Sequence, residues 1–190
     1  MKNFLRNLLG PFYPSFKDIY YTIKKVHFKV FGERKGTLVY LGLNTGESFS
    51  RIYYKFEKVI GFEPNPLNFN KVKKFGNLKG VNIYPFALSD SEGEVDFYLP
   101  SNKNNDASAS LSDFTNVRKG INSVNKIKVK TILLSKILEN NNITIIDKYI
   151  SDIEGYDLTV LKTLSSFIEE KRIINLQVEA IQDHVKNPFK

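Results

Sequence analysis

A glycine turn and a set of strand-end carboxylates are the residues whose types and spacing could do chemistry in this chain. The turn is Gly42-Leu43-Asn44-Thr45-Gly46, directly after the apolar run Leu38-Val39-Tyr40-Leu41. Its glycines let the backbone come close to a ligand, and the N–H groups of a helix starting at Glu47 point toward that ligand. A nucleotide-like molecule suits such a turn. Glu63 ends a second apolar run, Val59-Ile60-Gly61-Phe62. It lies about twenty residues past the first glycine, where a carboxylate accepts hydrogen bonds from ribose hydroxyls. Asp152 and Glu179 end two later strand-like runs, 145–151 and 172–178. In an open parallel sheet the carboxyl ends of the strands form the ligand crevice. A carboxylate there is costly without a partner, and it can take a proton from a hydroxyl substrate. The simpler alternative is that Asp152 or Asp157 caps the following helix and Glu179 pairs with a lysine. Asp152, Glu154 and Asp157 also crowd one turn, as oxygen ligands of a hard cation do. Asp157 is expected to face solvent on its helix, and no metal is expected. Of the two histidines, His27 falls in the N-terminal arm, and His184, after the last strand, is expected to be an exposed tail residue, with reach to the acceptor side as the alternative.

Holding these groups together takes alternating strands and helices. Strands are expected at 37–41, 58–62, 81–86, 145–151 and 172–178, and helices at 47–56, 67–74 and 156–164, with Pro66 starting the second helix. That order implies an α/β fold with a mostly parallel sheet and right-handed crossovers. Two stretches of alternating polarity, 93–99 and 126–132, insert a strand pair after strand three, and a short helix at 133–139 follows them. Between the pair, 101–125 is rich in Asn, Ser and Asp, as a lid over a site or a disordered surface loop would be. The glycine spacing lacks the third small residue of the dinucleotide fingerprint, which counts against a nicotinamide-dependent oxidoreductase.

With 190 residues and no cysteine, the chain has length for one domain and no disulfide, thiolate nucleophile or thiolate zinc site. Cysteine usage fits a reducing compartment, and a cytoplasmic location is expected. No apolar run is long enough to span a bilayer. The net charge of +8 is uneven: residues 1–36 carry eight Lys and Arg against Asp18 and Glu33, or +6. Residues 1–36 therefore read as a basic helical arm preceding a domain over 37–190. One short helix has Phe4, Leu5, Leu8 and Leu9 on a face, and a second, 17–31, has Ile19, Ile23, Val26 and Val30 on one side. The arm is expected to pack on the sheet edge with its lysines in water; weak peripheral contact with an anionic membrane is the alternative. Arg6 interrupts the first apolar run, against a signal peptide, and no nucleic-acid module surrounds the charges.

The chain resembles the FkbM-type family of S-adenosylmethionine-dependent methyltransferases over about 37–180. The stretches that carry the resemblance, in order, are LGLNTGESFSRIY, VIGFEPNPLNFNKV, VNIYPFALSDSEGEVDFYL, SASL at 108–111, KVKTILLSKIL, SDIEGYDLTVLKTL and LQVEA. The resemblance implies a Rossmann-like class I methyltransferase fold with the cofactor over the glycine turn. Leu41, Gly42, Leu43, Asn44, Thr45 and Gly46 would then lie along the methionine and ribose of S-adenosylmethionine. Glu63 would bind the ribose hydroxyls, flanked by Pro64 and Asn65, with Ala87 and Leu88 near the adenine. Asp152 would face the methionine amino group or the acceptor pocket, and Glu154 with Gly155 completes the family's Asp-x-Glu-Gly signature. Residues 108–111 would sit over the cleft.

The sequence departs from the family at Tyr40, where members usually carry an acid, and at Ser151, often a lysine. The fold usually closes with an antiparallel hairpin after strand five, for which no sequence follows, so the chain reads as truncated or as a minimal variant. The implied activity is O-methylation of a hydroxyl on a sugar, glycan or secondary metabolite, with Asp152, Glu154 or Glu179 as the base. The acceptor would be a small molecule or glycan, with no nucleic-acid partner and no oligomeric state specified. The alternative is a degenerate nucleoside- or glycan-binding protein that lost transfer along with the acid at Tyr40.

Overall fold

Thr37–Leu41 is buried at every position, as a strand covered on both faces must be. In a computed structural model, which describes residues 13–100, 110–111 and 124–178, it forms β1 at the centre of a five-stranded sheet. Its neighbours are β2 (Lys58–Phe62), β3 (Val81–Tyr84), β7 (Lys148–Ser151) and β8 (Leu176–Val178). Their order is β3-β2-β1-β7-β8, and every pair is parallel. Side chains alternate across the sheet. Val39 and Leu41 join Ile60, Phe62, Tyr149 and α4 (Leu134–Asn140) on one face. Leu38 and Tyr40 join Phe49, Tyr53, Val59 and Val72 on the other.

The register matters most for the site. Leu41 pairs with Phe62 on one side and with Ser151 on the other. The residues that follow, Gly42, Glu63 and Asp152, therefore leave the sheet level with one another. A second sheet of order β4-β6-β5 stands beside this edge, with β4 at Ala87–Leu88, β5 at Gly93–Pro100 and β6 at Val124–Ile132. Tyr98 of β5 bridges to Ser110, which sets that residue on the edge of the second sheet.

Several expected elements are shorter or divided. The helix expected over 47–56 is α2 (Glu47–Ser50) followed by a 3-10 turn at Tyr53–Lys55. Ile52 between them is non-helical, and Phe49 and Tyr53 stack at 5.3 Å across the break. The next helix, α3 (Pro66–Val72), also tightens into a 3-10 turn. β3 stops before Pro85, which has no N–H to donate. The helix expected over 156–164 is α5 (Asp157–Lys162), and a further short helix that was not expected, α6 (Ser165–Glu169), follows it. β7 and β8 keep only the C-terminal parts of the expected runs, with a separate bridge from Ile146 to Ile173.

The arm also differs from expectation. Helix α1 (Tyr13–Phe31) starts before Lys17, since Pro14 is tolerated in a first turn whose N–H groups need no helical partner. It rests on the domain through Tyr21, Lys25 and Phe28: Phe28 meets Tyr54 edge-on at 5.5 Å, and Lys25 lies 4.9 Å over the Tyr53 ring. Ile19, Ile23 and Val26, expected to face the sheet, are exposed. The expected helix around Phe4–Leu9 and the tail with His184 lie outside the described residues. Among the described residues no helix is long and apolar enough to cross a membrane.

Candidate active site

The glycine turn is bent by left-handed residues in quick succession. Gly42, Asn44 and Gly46 have φ of 77°, 51° and 81°. Only at Gly42 does backbone crowd the position: a Cβ there would stand 2.0 Å from the Asp152 carbonyl oxygen. Glycine thus lets the ends of β1 and β7 touch. The N–H groups of Gly42 and Leu43 both donate to the Phe62 carbonyl, at 3.1 and 3.0 Å, which ties the turn to β2.

Glu63 completes that tie from β2. The Asn44 N–H donates to its Oε2 at 2.6 Å, and the Asn65 N–H to its Oε1 at 3.0 Å. The carboxylate is only 5% exposed. Burial pushes its pKa up to about 7, against the pull of the Asn65 and Asn44 amides and the charge of Lys71. Asn65 in turn caps α3, its Oδ1 accepting from the Leu67 N–H at 3.0 Å. A polar chain runs on from the turn: Asn68 Nδ2 donates to Asn44 Oδ1 at 3.0 Å, and Lys71 Nζ donates to Asn68 Oδ1 at 3.1 Å. Asn68 was not singled out in the sequence. Its position one turn into a helix that starts beside Glu63 is the signal that could have found it.

The third wall is the loop 152–157 after β7. Asp157 is 4% exposed rather than facing solvent as expected. Its Oδ1 accepts from Ser151 Oγ and its Oδ2 from the Gly155 N–H at 3.3 Å. It braces the loop from inside, through a strained pair: Glu154 at φ 58° and Gly155 at φ 101°. Ser110 Oγ donates to the Glu154 carbonyl at 2.8 Å, fastening residues 110–111 over the same loop. Asp152 is exposed at the sheet edge, and Glu154 is half-buried. Tyr40, in place of the family's usual acid, is buried against Phe49 with ring centroids 5.7 Å apart. Burial and the nearby Asp152 charge hold its hydroxyl above the usual tyrosine range, against a hydrogen bond with Ser48.

A narrow pocket of about 30 Å³ opens between these walls, lined by Gly42, Phe62, Pro64, Phe86, Ala87, Leu88, Leu111, Ile153 and Tyr156. Of the residues singled out in the sequence, Gly42, Pro64, Ala87 and Leu88 face it. Glu63 and Asn44 stand behind the turn. Leu41 and Leu43 are core residues, Gly46 and Asn65 are buried, and Thr45 is exposed. Glu179 lies outside the described residues. Among the described residues no group of three or more His, Cys, Asp or Glu is disposed to hold a metal. The pocket walls are mostly apolar, and Glu63, behind the turn, keeps acceptor capacity beyond its two amide bonds.

Comparison with known proteins agrees with this geometry. The family model described as the methyltransferase FkbM domain matches residues 41–189. No curated protein and no solved structure gives a significant match.

Proposed function

The chain belongs to the FkbM methyltransferase domain family, with its Rossmann-like α/β fold, and from that premise we propose that it is an O-methyltransferase using S-adenosylmethionine. The acceptor is a hydroxyl on a sugar, glycan or secondary metabolite. The observation that carries this reading is the bond from the Asn44 N–H to Glu63, which ties the carboxylate to the glycine turn whose Gly42 lines an apolar pocket.

When bound, S-adenosylmethionine supplies a methyl group on a positively charged sulfur. Glu63, in its ionised form, accepts the ribose hydroxyls, while Pro64, Phe86, Ala87 and Leu88 enclose the base. Phe62, Leu111 and Ile153 exclude water from the pocket. Holding donor and acceptor in line supplies much of the rate. Asp152 stands where the ends of β1 and β7 meet, beside the turn. Its carboxylate takes the acceptor's hydroxyl proton as the new C–O bond forms and the C–S bond breaks. Asp152→Asn separates this role from a contact with the donor's amino group: turnover falls while donor affinity stays for a base, and affinity falls for a contact.

A second reading, binding without transfer, draws on Tyr40, which replaces the usual acid with a buried ring. A panel of hydroxylated sugars and glycolipids decides between the two. A product heavier by one methyl group supports transfer, and no product with donor bound supports the second reading.

A further inference from the structure

The face that α1 turns to solvent is its apolar one. Ile19, Ile23 and Val26 are 54%, 64% and 56% exposed, and Tyr20 beside them is 56% exposed. Their spacing stacks them along one side of the helix. The opposite side, through Tyr21, Lys25 and Phe28, already holds α1 to the domain: Arg51 lies 4.9 Å over Tyr21, and Phe28 packs on Tyr54. The stripe is therefore not the face that attaches the helix.

The helix is basic. The α1 sequence carries Lys17, Lys24, Lys25 and Lys29 against Asp18, or four minus one, +3. Lys25 lies on the packing face over Tyr53, while Lys24 is exposed and donates to the Tyr20 hydroxyl at 3.2 Å. Residues 1–36 carry +6 of the chain's +8, so 37–190 is nearly neutral. A stripe three aliphatic side chains wide is small for a stable protein partner, which needs on the order of 1,200 Å² or more of buried surface. It is ample for a helix that lies at a bilayer interface, where a few apolar side chains enter the lipid and lysines meet anionic headgroups.

We propose that α1 is a docking face for an anionic lipid bilayer, lying in the membrane plane with Ile19, Ile23 and Val26 inserted. The proposal is independent of the methyl-transfer reading. It assigns the protein a place at a membrane surface.

The test is flotation of the full chain with phosphatidylcholine vesicles, with and without phosphatidylserine. The expected result is flotation only with phosphatidylserine, released by high salt. Ile23→Asp and Lys24→Glu should each lower the bound fraction about tenfold, with circular dichroism and thermal midpoint unchanged. Failure to float with phosphatidylserine, or flotation that Ile23→Asp leaves intact, overturns the proposal. So does a lower thermal midpoint for Ile23→Asp, which would show the stripe covered by another part of this chain. A dimer that dissociates in that variant, without vesicle binding, would assign the stripe to a second copy and equally overturn it.

Discussion

Glu63 carries a charge into a place where charge is expensive, and two backbone amides only partly offset the cost. Its pKa near 7 makes stability depend on pH. Between about pH 4.5 and 7 the folded chain binds more protons here than the unfolded chain, so stability falls as pH rises through that window. The contribution is fully present below the window and lost above it, and its size is on the order of 3 kcal/mol. Urea denaturation of the wild type and Glu63→Gln across this range checks it. The stability of the wild type relative to Glu63→Gln should fall as pH rises through the window, and a constant difference would refute the argument. Gly42→Ala places a methyl against the Asp152 carbonyl, in a left-handed conformation that alanine resists. A loss of at least about 1 kcal/mol is expected in thermal denaturation. Both residues were legible in the sequence, one from a glycine after an apolar run and the other from an acid ending the next. Asp157 was not. A carboxylate opening a helix reads as solvent-facing, and only the folded loop turns it toward Ser151 and Gly155.

At the scale of elements, the level ends of β1, β2 and β7 are what make separate residues into a site. The loop after β7 hangs on Asp157. Asp157→Ala would strand the Ser151 hydroxyl and the Gly155 N–H, at about 1–3 kcal/mol in chemical denaturation. Asn65→Ala removes the α3 cap and costs about 1 kcal/mol, with a further loss of donor affinity if the turn at Glu63 loosens. The buried strands were readable because continuous apolar runs leave few other arrangements. The break at Ile52 was not, because apolar spacing marks the buried face of a helix and not where the helix stops. Periodicity likewise showed which residues of α1 share a face, but not that the face built on Tyr21 and Phe28 would be the one that packs.

Taken whole, the molecule joins a nearly neutral methyltransferase domain to a basic helix. The sheet positions the pocket, and the second sheet with residues 110–111 closes over it. Calorimetric titration of the full chain with S-adenosylmethionine and with its demethylated product is the most direct test of the central claim, that the turn and Glu63 together hold one adenosine. Saturable binding of both is expected, weakened about tenfold by Glu63→Gln at pH 8 with the fold intact, as loss of a hydrogen bond to a charged group requires. No heat and no shift in thermal midpoint with either compound would contradict it.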